Sequence, residues 1–234
     1  MSNSSIKGAI SLALLSLLVL AAAVPAHAEP RRLTVSGHGE VGVRPDVAIL
    51  SVGASTRAAT AGQALEAANA VVRALFARAR ALGIADSDLA TQQIGVGPVY
   101  ANRRNNEELP VPIAFQASNQ VEITIRELDK AGAVIDAMAE AGANTIGGLQ
   151  FTVSEPGPHE DRARRLAVQD AKRRALLFAE EAGVTLGPIL SIDEGGGGPV
   201  FPKARMLAME ARTPVAPGEN AIAASVTIVF GLTE

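Results

Sequence analysis

Between Leu33 and Leu232 the sequence switches between a two-residue and a 3.6-residue hydrophobic period in the order ββαββαβαββ. That order constrains the fold more than any other feature. Helical stretches never simply alternate with single strands, as a doubly wound parallel sheet requires. The order therefore predicts an α+β fold: mixed or antiparallel sheets with three main helices packed on them. A short β pattern at 33–36 is followed by a longer one at 43–56, entered through Arg44-Pro45-Asp46. Thr60-Ala61-Gly62-Gln63 matches a capping box and opens a helix. Its inward stripe is Leu65, Ala68, Val72, Leu75, Ala79 and Leu82, and Gly83 stops it. Strands over 89–100 and 115–126 follow, joined by a polar connection over 102–108 that continues through Pro110 and Pro112. In the second of these strands Val121, Ile123 and Ile125 face one way, and Glu122, Thr124 and Arg126 the other. Asp129 is read as the cap of a second helix over 130–141, with Val134, Ile135 and Met138 inward and Gly142 after it. A strand over 146–154, a third helix over 160–182 closed by Gly183, and strands over 186–193 and 222–232 complete the order. The third helix carries Ala163, Ala167, Ala171 and Ala175 on one stripe, so it can pack close to a sheet or to another helix.

The segment ahead of this pattern reads as an export leader. Lys7 supplies a positive start, residues 9–24 are apolar, Pro25 breaks the run, and Ala26-His27-Ala28 is an A-x-A cleavage site. The apolar run is roughly 16 residues, short for a span that needs about 20. Residues 1–28 are therefore expected to be a signal peptide cut between Ala28 and Glu29. That leaves 29–234 as a periplasmic domain, with room for two intertwined lobes and no further membrane span. The chain has no cysteine, which excludes disulfides, thiolate metal sites and cysteine nucleophiles. A formal net charge of −3 with 3% aromatic residues lacks the footprint of a nucleic-acid binder.

Several motifs invite a chemical reading and lose to a plainer one. Gly37-His38-Gly39-Glu40-Val41-Gly42 fits G-x-G-x-x-G, but a β pattern follows it where a dinucleotide site needs a helix. The glycines are read as a turn or bulge between strands. His38 and Glu40 are placed on one strand face, too few ligands for zinc. His159 stands at a helix start, and no Gly-x-Ser-x-Gly elbow occurs. No catalytic, cofactor-binding or metal residues are assigned. The basic residues Arg162, Arg164, Arg165, Lys172, Arg173 and Arg174 are interleaved with acids. Glu160–Arg164, Asp161–Arg165 and Asp170–Arg174 have the favourable i,i+4 spacing, so a self-paired solvated helix face is expected. Two helix-to-strand junctions echo each other, at 141–147 and 182–187, and each contains a glycine stop.

Taken in order, Val35-Ser36-Gly37-His38-Gly39-Glu40 with Val43-Arg44-Pro45-Asp46, Ser118-Asn119-Gln120-Val121, the Gly142-Ala143-Asn144 turn, the basic third helix, the 183–187 junction and Pro214-Val215-Ala216-Pro217-Gly218-Glu219 resemble the SIMPL domain family. The resemblance runs over essentially the whole chain after the leader. It implies a SIMPL-like α+β fold and an exported, non-enzymatic protein with an envelope or oxidative-stress-related role. Some members assemble into ring-like homo-oligomers, so self-association is implied too. The family brings no agreed catalytic residues. The long connections are read as the assembly surface, with Arg103 and Arg104 in the first and Met206, Leu207 and Met209 in the second. The alternative is a module that captures a ligand or peptide in an inter-lobe cleft. An enzyme and a pore built from strands are the weaker readings.

Overall fold

The computed structural model describes residues 31–101, 111–195, 199–200 and 215–233. Arg103, Arg104, Met206, Leu207 and Met209 lie outside the described residues, as do Ala28 and Glu29. The elements run β1 (Arg32–Val43), β2 (Val47–Ala58), α1 (Ala61–Ala81), β3 (Leu89–Tyr100), β4 (Pro112–Ile125), α2 (Ala131–Glu140), β5 (Thr145–Thr152), α3 (Gly157–Glu181), β6 (Thr185–Gly195), the two-residue β7 (Pro199–Val200) and β8 (Asn220–Thr233). The expected α+β order is present, with β7 as an addition. Every pairing among the described residues is antiparallel.

Two sheets share the chain. The first has the order β1-β8-β6, with β7 also on β8; the second has the order β3-β4-β2-β5. The chain leaves the first sheet at Arg44-Pro45-Asp46 and returns to it through α3. Each sheet buries one face, because strand side chains alternate while a helix offers one stripe. On the second sheet, Ala48, Leu50 and Val52 of β2 and Val121, Ile123 and Ile125 of β4 pack under Val72, Leu75 and Ala79 of α1 and Val134, Ala137 and Met138 of α2. On the first sheet, Val35, Val41 and Val43 of β1 and Ile222, Val226, Ile228 and Phe230 of β8 pack under the alanine stripe of α3.

The glycine run of β1 departs from expectation. Gly37 through Gly42 form neither a turn nor a bulge but an uninterrupted strand in register with β8, from Gly37 opposite Val226 to Gly42 opposite Ala221. The reason is the helix above. A Cβ on Gly37 would overlap the Ala167 carbonyl oxygen and stand 2.5 Å from the Ala171 nitrogen. One on Gly39 would overlap the Ala163 carbonyl oxygen and stand 2.5 Å from the Ala167 nitrogen. Glycine on the strand and alanine on the helix together let the backbone of α3 lie directly on β1.

Other local expectations hold or shift for visible reasons. The Thr60 hydroxyl accepts the Gln63 N–H at 3.3 Å and caps α1. Asp129 makes no such cap. The chain enters α2 through a 3₁₀ turn, Leu128–Lys130, closed by the Lys130 N–H donating to the Glu127 carbonyl. The echoed junctions share one helix ending: the Ala143 N–H reaches the Met138 carbonyl and the Val184 N–H the Ala179 carbonyl, each at 3.0 Å, with Gly142 and Gly183 at positive φ. Ile84 after α1 repeats that bond to Ala79. The strands that follow the echo join different sheets, so what the junctions have in common is a C-cap.

Candidate assembly surface and inter-sheet cleft

In the second sheet β3 is an edge strand, and the β3–β4 hairpin extends past the cover of α1. Ile94 pairs with Asn119 and Val96 with Ala117. Both partners are buried, and the Asn119 side chain donates to Asn69 of α1 at 2.9 Å. Cross-strand partners share a face, so Ile94 and Val96 are on the helix side, yet they are 56% and 50% exposed. Ile113 lies two residues before Phe115, which packs against the cluster of Ala64, Ala68 and Ala117; it is the extra residue where the register with β3 shifts, and it is 65% exposed. Tyr100 and Val111, which flank the connection carrying Arg103 and Arg104, are exposed as well. A contiguous apolar face of this kind is the usual mark of a binding surface.

An edge of the first sheet, by contrast, is closed by polar groups. The outer edge of β1 is covered from α3: Asp170 accepts the His38 N–H at 3.1 Å, and Arg174 donates to the Ser36 carbonyl at 3.3 Å. That satisfies backbone groups which would otherwise invite another strand. Arg173 at 2.6 Å and Arg174 at 2.9 Å from Asp170 hold its carboxyl below the usual carboxylate range, the Arg173 bond being the larger cause. The His38 and Glu40 side chains lie on the exposed face of β1. No cluster of three or more His, Asp or Glu suited to a metal occurs among the described residues.

The charge pairing of α3 is as expected for Glu160–Arg164 (3.4 Å) and Asp170–Arg174, but Asp161 turns to Arg164 at 3.0 Å instead of to Arg165. Arg164 is drawn that way by a third acid on the neighbouring strand, Glu194 of β6, at 2.8 Å. Glu194 is also the main cause of the raised pKa of Arg164.

This Arg164 cluster lies beside a cavity of about 230 Å³ where the end of β5, the start of α3 and the start of β8 meet. Thr152, Val153, Pro156, Glu160, Arg164 and Glu194 form one part of its wall, and Asn220 and residues 222–224 the rest. The crossing between sheets beside it is pinned by Asp46. Its carboxylate accepts both the N–H and the hydroxyl of Ser154 at 2.7 Å, and its own N–H donates to the Thr152 carbonyl at 3.1 Å. Those Ser154 bonds, the hydroxyl first, pull the Asp46 pKa below its ordinary value. Asn144 pins β2 in a similar manner: its oxygen accepts the Ser55 N–H at 2.7 Å and its amide donates to the Ser55 carbonyl at 2.8 Å.

The sequence marks Asp46 only as part of a strand entry and of a family-like motif, marks Asn144 only as part of a family-like turn, and gives no sign of Asn220. A lone asparagine at a strand start carries no signal of its surroundings. No helix among the described residues is long and apolar enough to cross a membrane.

An α+β domain of two antiparallel sheets is the class this fold defines. The chain belongs to the SIMPL family, whose model, described as a protein of unknown function (DUF541), matches residues 33–230. It is 32% identical over 231 residues to the 26 kDa periplasmic immunogenic protein of Brucella melitensis, covering 92% of each chain. The protein of that name in Brucella abortus matches equally, and the uncharacterized protein YggE of Edwardsiella ictaluri is 29% identical over 174 residues, 74% of this chain and 71% of its own. None of these names assigns an enzymatic activity.

Proposed function

We propose that the chain is exported by a cleaved leader, residues 1–28, and acts in the periplasm as a non-enzymatic, self-assembling protein with an envelope or oxidative-stress-related role. The periplasmic naming of the Brucella relatives supports the location. The observation that carries self-assembly is the apolar exposure of the β3–β4 hairpin, with Ile94 and Val96 uncovered on its helix side and Ile113 uncovered further along β4. A second copy covering it would remove these side chains from water at about 25 cal/mol per Å². The connections with Arg103 and Arg104 and with Met206, Leu207 and Met209 belong to the same proposal as carriers of subunit contacts.

Light scattering on the chain from Glu29 tests it. The wild type should give a discrete multiple of the monomer mass, and an Ile94→Ser/Ile113→Ser variant with unchanged far-UV circular dichroism should give the monomer. A monomeric wild type, or a double variant that assembles unchanged, would refute the surface. Deletion of residues 206–209 without effect on mass would remove that loop from the contact.

A further inference from the structure

Three of the four long sheet edges are defended against a further strand. On β1, Asp170 and Arg174 of α3 take the His38 N–H and the Ser36 carbonyl. On β6, Pro188 and two register shifts, between Leu186 and Ile189 and between Ile189 and Ser191, break the line, and Asp193 and Glu194 charge what remains. On β5, the register shift opposite Ser51 and Val52 and Gly148 at a φ of 150° bend the strand. Bulges, prolines and charges are the usual means of keeping an edge from pairing. β3 is different. Between its own register shifts it runs unbroken from Gln93 opposite Gln120 to Val99 opposite Ala114, and Leu89–Tyr100 contains no charged residue.

Two observations show which backbone groups this edge offers. Pro98 pairs with Phe115 of β4 without a shift, and a proline fits a ladder only where its missing N–H points away from the partner. Backbone groups alternate sides along a strand, so those of Ile94 and Val96 point outward with those of Pro98. The far side of the sheet gives the same phase. Asn144 takes the Ser55 N–H and carbonyl with its side chain and the Gly53 carbonyl with its own N–H, so Gly53 and Ser55 face away from β4. Ala54 and Thr56 then face β4 opposite Asn119 and Ala117, which turn their groups to β2 and leave those of Ile94 and Val96 outward.

We propose that β3 pairs antiparallel with β3 of a second copy across a two-fold axis at Gly95, continuing one four-stranded sheet into the other. This pairing rests on the assembly reading above and supplies its geometry. Ile94 faces Val96 of the second copy, and Val96 faces its Ile94. Each of these pairs exchanges both N–H···O bonds, and each β-branched side chain gains another opposite it on the helix side. Gly95 meets its own counterpart in the non-hydrogen-bonded pair between them, where the strands come closest. A second copy fits better than a foreign peptide because the edge complements itself. The register that matches the outward N–H and C=O groups also matches the exposed apolar side chains, and two uncharged strands meet without repulsion. Pro98, which has no N–H to give, faces Gln92 at the register shift and ends the ladder.

The chain has no cysteine, so single-cysteine variants of the chain from Glu29 report the register. Gly95→Cys should link two copies on oxidation, the pair standing within the ~4.4–6.8 Å Cα separation that a disulfide needs. An added Cβ there meets only the Ser118 hydroxyl, at 3.2 Å. Gly97→Cys, whose Cβ meets nothing within 4 Å, should not link to itself, because its counterpart lies about 13 Å along the strand. Gln93→Cys mixed with Gly97→Cys should give the mixed disulfide. Amide exchange on the unsubstituted assembly is the second reading. Ile94 and Val96 should be as protected as Gly95 and Gly97, and positions 94 and 96 should lose that protection in the Ile94→Ser/Ile113→Ser variant. Fast exchange at Ile94 and Val96 in an assembled wild type would overturn the strand pairing and leave assembly through side chains standing. So would Gly97→Cys linking as strongly as Gly95→Cys, or Gly95→Cys keeping the wild-type mass without linking. A monomeric wild type would remove the assembly reading and this geometry together, and protection of Ile94 and Val96 in such a monomer would put another extended segment on the edge.

Discussion

Replacing Gly39 by alanine puts a methyl group where the backbone of α3 already is. The added carbon would overlap the Ala163 carbonyl oxygen and sit 2.5 Å from the Ala167 nitrogen and 2.8 Å from the Leu166 Cβ. Restoring an ordinary contact of about 3.5 Å requires α3 to retreat by roughly 1 Å, because helix backbone cannot rotate aside as a side chain does. A gap of that size forfeits about a quarter to a half of each dispersion contact and is too narrow for water. Ala163, Ala167, Ala171 and Ala175 are all fully buried in that seam, so all four lose contact with β1 and β8. Overpacking costs about 1–3 kcal/mol where side chains yield, and with backbone on the helix side the upper end, about 3 kcal/mol, is expected. For a chain of this size that is a fall in melting temperature of roughly 6–12 °C. Gly42→Ala is the internal control. It is in the same strand, but an added Cβ meets nothing within 4 Å. There the change should be neutral or stabilising by up to about 1 kcal/mol, since glycine is a poor strand residue. Gly37→Ala should resemble Gly39→Ala, and the double variant should cost less than the sum, the helix having lifted once. Thermal and urea unfolding followed by far-UV circular dichroism reads all four. Gly39→Ala melting with Gly42→Ala would refute close backbone packing as the reason for the glycines.

Two further outcomes follow from the pins between elements. Asp46→Ala removes two bonds to Ser154 and should cost about 1–2 kcal/mol at neutral pH, discounted for the exposure of the carboxylate. Because folding lowers the Asp46 pKa, its contribution is present above the unfolded value near 3.8 and is lost as pH falls through the lower folded value. The urea midpoints of wild type and variant should therefore differ at pH 7 and draw together as pH falls from 3.8 toward and through the lower folded value, and a gap that widens over that acid range would contradict the assignment. Asn144→Ala deletes both bonds to Ser55 and should cost about 1–2 kcal/mol, while Asn144→Asp should recover little, since the carboxylate has no donor for the Ser55 carbonyl. An Asn144→Asp variant as stable as wild type would show that the donor half is idle.

Much of the fold was legible because local periodicity is what folding uses. The alternation at Val121, Ile123 and Ile125 and the Thr60 cap stand in the structure, and the α1 stripe stands at Ala68, Val72, Leu75 and Ala79, while its expected ends, Leu65 and Leu82, are half-buried and Ala64 takes the first buried place. The alanine stripe of α3 was legible as a close-packing face, but its partner was not. Gly-x-Gly in a strand under a helix has the composition of a turn, and only the pairing of β1 with β8, near the two ends of the chain, tells them apart. Long-range pairing leaves no local trace. The same holds for Asp161, whose choice of Arg164 over Arg165 depends on Glu194, thirty residues after Arg164. Asn220 is the extreme case: its buried oxygen exists only because Phe151, from the other sheet, takes its amide.

Export, leader removal and assembly meet in one measurement: native mass spectrometry of the protein released from the periplasm by osmotic shock. The account predicts a single charge series at an integer multiple, two or more, of the mass of the chain beginning at Glu29, falling to one copy when Ile94 and Ile113 are both serine. A monomer mass for the wild type, or a mass that retains residues 1–28, would contradict it.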